Sequence, residues 1–290
     1  MIVVDAARRG RTELCSRRAL GWSEWGPQDG AVVLFCPGAA TSSALGFGAG
    51  ALEELGLRLV ALDRPGCGAS DRGLDDRTLL DWADDVRSLV EARALGVPGI
   101  VGFSQGAPFT LACAAAGIVS AAAIVSGTDE LAAPHQALAP DLRGLIDLAA
   151  TDPAGAEAMF RTMTAEKMRQ MVLAGSDERD LTIYRDPAFD ALYRQALDEC
   201  FAAGPEGYAR DTVLAFSAWP FDPRNITVPV ELWYGARDAS PVHSPDHGAS
   251  LQARIPGARR EVIADAGGAL LWTHAHAILA ALARQLRPAG

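Results

Sequence analysis

Cysteine is scarce in this sequence, and its few copies are spaced far apart. The five cysteines are Cys15, Cys36, Cys67, Cys113 and Cys200, and none of them belongs to a C-x-x-C pair. An odd and scattered set is typical of free thiols in a reducing compartment, and it supplies no metal-binding framework. We therefore expect unpaired cysteines, a cytoplasmic protein and no bound metal.

Positive charge is also in deficit. The chain has 26 Lys and Arg residues against 36 Asp and Glu residues, which gives a formal net charge of −10. This balance argues against nucleic acid and anionic membrane surfaces as partners. The sequence has no glycine-rich nucleotide loop and no clustered His, Cys and Asp ligand set. These absences predict a small-molecule substrate and no cofactor, and they leave the oligomeric state open.

The sequence also lacks a leucine-rich run of membrane-spanning length. Its first residues, MIVVD, have neither the basic start nor the long apolar core of a signal peptide. Residues 107–128 carry no charge, but they are rich in alanine and are interrupted by Gly117. This segment predicts a buried helix followed by a buried strand rather than a transmembrane helix.

Apolar strands alternate with amphipathic helices along much of the chain. We predict an antiparallel pair over 13–26, strands at 31–36, 57–62, 97–102, 121–126, 228–234 and 260–264, and helices at 77–94, 104–116 and 273–286. This alternation predicts an α/β fold with a mostly parallel central sheet flanked by helices. The alternation stops near Asp129 and resumes at Val228. We therefore expect a core of residues 1–128 and 228–290, with residues 129–227 inserted as a helical cap.

The most informative motif is G-x-S-x-G at residues 102–106, between a predicted strand and a predicted helix. A serine on such a turn projects its hydroxyl clear of the sheet, and small flanking residues let strand and helix pass closely. The amide of Gln105 would lie at the helix start, where a free N–H and the helix dipole favour an oxyanion. This context predicts that Ser104 is a nucleophile.

Together with three other turns, this motif resembles the α/β-hydrolase fold family, in its serine-hydrolase branch with a helical cap. The other turns are DRPGCGAS at 63–70, PGA at 37–39 and GARDASP at 235–241. The resemblance implies that Asp238 is the triad acid, with Asp129 as a fallback. It also implies that the amides of Ala39 and Gln105 form an oxyanion hole.

One position departs from the family pattern. The family places its catalytic histidine after the last strand, where this chain has Ala269. We expect no other histidine to lie between acid and nucleophile; the candidates are His135, His243, His247, His274 and His276. A serine without a base is a weak nucleophile, so the prediction is a nearly inactive chain. Ala269 is then an engineered replacement, the explanation we favour, or a natural departure.

The cap composition predicts an apolar pocket. Five apolar side chains fall in one short stretch: Met159, Phe160, Met163, Met168 and Met171. Such a stripe packs the core or lines a pocket. We expect Phe103, Met159, Met163 and Trp219 to line the pocket, and we expect an ester, thioester or lactone substrate with an apolar portion. The alternatives are a ligand-binding protein and a cofactor-free enzyme of cyclisation, elimination or rearrangement on the same scaffold.

Overall fold

The central sheet of the computed structural model, which describes residues 3–133 and 138–286, has eight strands. They are β1 (Arg8–Glu13), β2 (Ala19–Trp25), β3 (Ala31–Cys36), β4 (Leu57–Leu62), β5 (Gly99–Phe103), β6 (Ala121–Val125), β7 (Val230–Gly235) and β8 (Arg259–Ile263). Their order is β1-β2-β4-β3-β5-β6-β7-β8. The pairs β1–β2 and β2–β4 are antiparallel, and the other pairs are parallel. The predicted α/β fold with a mostly parallel sheet is confirmed.

Helices cover both faces of this sheet. One face carries α1 (Ala49–Leu55), α11 (Leu270–Thr273) and α12 (Ala275–Leu286), and the other carries α2 (Leu79–Ala92), α3 (Gly106–Ala115) and α10 (Ala249–Arg254). Alternate side chains of a strand point to opposite faces, so Phe35 packs into one core cluster and Leu34 into the other. Burial on both faces explains why β3, β5 and β6 are continuously apolar.

Among the described residues, six α-helices, which we call the cap helices, lie between β6 and β7. They are α4 (Pro140–Thr151), α5 (Pro153–Phe160), α6 (Ala165–Ala174), α7 (Glu178–Tyr184), α8 (Pro187–Phe201) and α9 (Glu206–Phe216). Asp152, Thr164, Asp177 and Asp186 accept hydrogen bonds from first-turn amides, and these contacts define where α5 to α8 begin. His135 lies outside the described residues.

Most predicted bounds lie within two residues of those observed, and three larger differences stand out. The opening hairpin covers 8–25 rather than 13–26, because β1 alternates half-buried and exposed residues and has no apolar pattern. The helices α1 and α10 were not expected, since seven and six residues are too few for a clear helical period. The last helix is preceded by the short α11. None of the described helices is long and apolar enough to cross a membrane.

The cysteines are not all free, as the sequence led us to expect. Cys67, in the turn after β4, forms a disulfide with Cys200 of α8 across a sequence separation of 133 residues. The bond joins the turn at the carboxyl end of β4 to the cap helices. Cys15, Cys36 and Cys113 are free. The prediction of five free thiols is wrong, and the argument for a reducing compartment loses its basis.

Candidate active site

Ser104 occupies a strained turn between β5 and α3. Its φ of 51° lies in the left-handed region, which is costly for a residue other than glycine. Two flanking glycines make the turn possible. A Cβ on Gly102 would collide with Thr110, and one on Gly106 would collide with the carbonyl oxygen of Cys36. The strand–turn–helix context expected for the G-x-S-x-G motif is present.

His243 lies between this serine and an aspartate. Its Nε2 is 2.8 Å from Ser104 Oγ, and its Nδ1 is 2.7 Å from Asp238 Oδ2. The expectation that none of the chain's histidines would lie between acid and nucleophile is therefore wrong. Of the two candidate acids, Asp238 contacts the imidazole, whereas Asp129 accepts a hydrogen bond from the amide of Glu130.

Both Asp238 and His243 belong to the loop that follows β7, which we call the β7 loop. Within it, Asp238 Oδ1 accepts a hydrogen bond from the amide of Ser240 at 3.0 Å. The amide of Ser244 then donates to the carbonyl oxygen of Gly127, which anchors the returning segment beside β6 at 3.0 Å. These two contacts fold the loop back on itself. They place the imidazole of His243, five residues after Asp238, between the Asp238 carboxylate and the Ser104 hydroxyl.

The Asp238 carboxylate is buried, and its pKa is lowered. Burial alone would raise this pKa, but the charge and hydrogen bond of His243 and the amide of Ser240 outweigh it. The side chain of Asp238 is only 4% exposed. The carboxylate is thus held ionised against the imidazole, where it favours one ring orientation.

Ala269, the expected position of the family histidine, lies in the loop after β8, which we call the β8 loop. The residue is 1% exposed and packs in the core. Its amide and that of Gly268 donate to the two carboxylate oxygens of Asp180, at 2.9 and 2.7 Å. Burial raises the pKa of Asp180, although these two amides oppose the shift. The Asp180 carboxylate of α7 therefore binds the backbone of the β8 loop.

The amides expected to form the oxyanion hole lie beside the serine. Gln105 immediately precedes α3, and Ala39 lies in the loop after β3, next to Ala40 with its positive φ of 53°. In the part of the chain that the structure describes, neither amide donates to a protein acceptor. A Cβ built on Gly38 would lie 3.6 Å from the Cβ of Ser104, so the 38–39 peptide is adjacent to the nucleophile.

A cavity of about 350 Å³ opens onto Ser104 and His243. Its apolar wall includes Phe35, Phe103, Met168, Met171, Tyr193 and Trp272. Phe103 was expected here, but Met159, Met163 and Trp219 do not line the cavity. Met159 is exposed, Met163 packs against the core, and Trp219 stacks on Phe221 at 5.4 Å between ring centroids.

The cavity is acidic as well as apolar. All its lining residues are described, and among them the ionisable acids are Asp180 and Asp238, with no lysine or arginine. No group of three or more His, Cys, Asp or Glu side chains in the described ranges is arranged to hold a metal ion. The arrangement offers a hydroxyl, an imidazole and free amides around an apolar space.

Sequence comparison places this geometry in a known family. A profile described as the alpha/beta hydrolase fold matches residues 31–275. The chain belongs to the α/β-hydrolase fold family. A comparison with curated protein sequences finds no significant match.

Solved structures agree with the fold. An enol-lactonase from Burkholderia xenovorans superposes with a TM-score of 0.69 at 20% identity, covering 96% of this chain and 99% of that one. An esterase from a Rhodococcus species gives 0.67 at 20% identity, covering 99% and 100%. A bromoperoxidase from Bacillus anthracis gives 0.69 at 18% identity, covering 97% and 100%. At these identities the similarity establishes the α/β-hydrolase fold alone.

His243 is the residue that sequence reasoning missed. One signal was available, because it follows Asp238 by five residues in the loop after a late strand. The family pattern directed attention to the β8 loop instead. One of the two hydrogen bonds that fold the β7 loop back, from Ser244 to Gly127, joins residues more than a hundred positions apart, so no local pattern predicts it.

Proposed function

We propose that this α/β-hydrolase is an active serine hydrolase in which Ser104 is the nucleophile, His243 the general base and Asp238 the orienting acid. The observation that supports the proposal is the continuous series of contacts from Ser104 Oγ through His243 to Asp238, at 2.8 and 2.7 Å. This series has the geometry of a catalytic triad. In this proposal the chain does not need a histidine at position 269, and the idea of an engineered inactive variant loses its premise.

The proposed reaction proceeds through an acyl-enzyme. Ser104 Oγ attacks the acyl carbon as its proton passes to His243 Nε2, and the carbonyl oxygen becomes an oxyanion near the amides of Ala39 and Gln105. The imidazolium then protonates the leaving oxygen as the acyl–oxygen bond breaks. Water attacks the acyl carbon with His243 again taking the proton, and that proton returns to Ser104 as the acid leaves.

The substrate class follows from the lining of the cavity. Its apolar wall supports a carboxylic ester, thioester or lactone with an apolar acyl portion, of a size suited to about 350 Å³. Asp180 faces the cavity without a cationic side chain in the lining. An anionic acyl group would meet this carboxylate in a poorly solvated space, so we expect neutral esters to be preferred.

We also assign residues 129–227 to a cap over a core of 1–128 and 228–290. Three cap helices support this assignment, because α6 supplies Met168, α7 supplies Asp180 and α8 supplies Tyr193 to the cavity wall. In this proposal the cap helices select the acyl group, while the sheet edge carries the reacting residues.

The test is hydrolysis of p-nitrophenyl butyrate by the wild type, Ser104→Ala and His243→Ala, with His274→Ala as the matched control. We expect each of the first two variants to lower kcat/KM by at least about 10³-fold, because triad members act as a unit. His274 lies after the β8 loop and contacts Thr273, so its variant should retain wild-type rates.

Two results would contradict the proposal. If Ser104→Ala hydrolyses the ester at the wild-type rate, Ser104 is not the nucleophile, and a cofactor-free reaction would then be the better explanation. A folded wild type that binds neutral esters but hydrolyses none, lactones and thioesters included, would favour a ligand-binding protein.

A further inference from the structure

Arg64 is a buried cation beside residues 37–39 of the loop after β3, which we call the oxyanion loop. The proposed reaction gives Arg64 no role. It follows β4 in the DRPGCGAS turn, and it is only 2% exposed. Its Nη1 donates to the carbonyl oxygen of Pro37 at 2.6 Å, and its Nη2 donates to that of Gly38 at 2.9 Å. One planar guanidinium therefore holds two successive carbonyls of the loop after β3.

The third donor of the guanidinium fixes its orientation. Arg64 Nε donates to Asp211 Oδ2 of α9 at 2.6 Å, and Asp211 is itself buried. The guanidinium carbon also lies 4.8 Å from the ring centroid of Phe109, which covers one face of the group. With three directions occupied, the fork has little freedom to rotate away from the loop.

The bond to Gly38 bears directly on the oxyanion hole. The carbonyl of Gly38 and the N–H of Ala39 belong to the same planar peptide unit. A donor that holds the oxygen therefore also fixes the direction of the N–H. A cation on the carbonyl oxygen further polarises the peptide, which strengthens the N–H as a donor in a site of low dielectric constant.

We infer that Arg64 is a positioning residue for the Ala39 amide: it clamps the 37–39 backbone so that this N–H stays aimed at the oxyanion. The inference rests on the proposed hydrolase function. The buried ion pair between Arg64, in the turn after β4, and Asp211 of α9 would then affect catalysis as well as stability.

Arg77 provides a matched control. It is also buried and also forms an ion pair with Asp211, through the second carboxylate oxygen. Its other acceptor is the carbonyl oxygen of Gly207, so among the described contacts none joins it to the oxyanion loop. If the network matters only for stability, lysine at either position should have similar effects on the rate.

The experiment compares Arg64→Lys with Arg77→Lys by steady-state kinetics on p-nitrophenyl butyrate. A lysine at 64 keeps a positive charge for Asp211, but one ammonium cannot reproduce the fork on two carbonyls. We expect kcat to fall about 10- to 100-fold for Arg64→Lys with KM nearly unchanged, since a misaimed donor affects mainly the transition state. We expect less than about threefold loss for Arg77→Lys, whatever its melting temperature.

An alkyl boronic acid, which forms a tetrahedral adduct with the serine, supplies a second readout. Its inhibition constant should rise for Arg64→Lys by about the same factor as kcat falls, and it should change little for Arg77→Lys. Equal losses of kcat in the two variants, or a loss at Arg64 confined to melting temperature, would overturn the inference. If Arg64→Lys does not fold, Arg64→Gln, which keeps a single uncharged NH2 group, is judged by the same two readouts.

Failure of the inference is distinguishable from failure of the proposed function. The proposed function fails if the wild type is inactive or if Ser104→Ala retains activity. The inference alone fails if Ser104→Ala abolishes turnover but Arg64→Lys behaves like Arg77→Lys.

Discussion

The β7 loop and the β8 loop follow neighbouring parallel strands and line the same cavity, yet they contribute different chemistry. The β7 loop presents a carboxylate and an imidazole, whereas the β8 loop presents backbone amides and an alanine. Each loop contains or contacts one buried aspartate. The pKa of Asp238 is lowered by its histidine, and the pKa of Asp180 is raised by burial. The fold fixes where strand ends meet, but it does not fix which loop carries the histidine.

The sharpest way to separate the two loops is to neutralise each aspartate. We expect Asp238→Asn to lower kcat by about 10⁴-fold, because an asparagine no longer favours the imidazole tautomer that accepts the serine proton. We expect Asp180→Asn to lower kcat less than tenfold, since its partners are amides. Both are measured on p-nitrophenyl butyrate. Comparable losses in the two variants would mean that Asp180 also takes part in the chemistry.

A histidine can also be placed in the β8 loop directly. We expect Ala269→His to leave kcat no higher than that of the wild type, because His243 already lies between Asp238 and Ser104. It should lower the free energy of unfolding by about 1–3 kcal/mol, since the larger ring must enter a packed site. Urea unfolding and ester hydrolysis measure the two effects. A rate increase of tenfold or more would restore the β8 loop as the position of the base.

The opposite pKa shifts predict opposite pH dependences. The stabilisation by Asp238 is present above its unfolded pKa of about 3.9 and is lost as pH falls through its lower folded pKa. The loss of folding stability caused by Asp238→Asn should therefore be largest at neutral pH. Asp180 binds its proton more tightly when folded, so the wild type's advantage over Asp180→Asn should shrink as pH rises from about 3.9 through the raised pKa.

Melting temperatures of the wild type and both variants, from about pH 2.5 to 7, measure these trends. If the stability losses of the two variants change with pH in the same direction, the two aspartates do not experience different environments.

Local sequence patterns were sufficient for much of the fold and part of the site. The apolar runs of β3 and β4 and the turn at Ser104 depend on near neighbours, and the structure has them where they were predicted. His243 depends on a distant anchor at Gly127, and the side of α6 that faces the cavity depends on how the cap helices pack. The methionine stripe accordingly contained cavity residues, Met168 and Met171, but the prediction selected Met159 and Met163.

The Cys67–Cys200 bond turns the middle of the chain into a covalent ring. The ring contains the serine turn, and it contains the cap helices α4 to α7. A single peptide cut anywhere between the two cysteines therefore opens the ring without separating the protein into two molecules. The two termini of such a nicked chain stay joined through sulfur, and only a reductant together with the cut releases them as fragments.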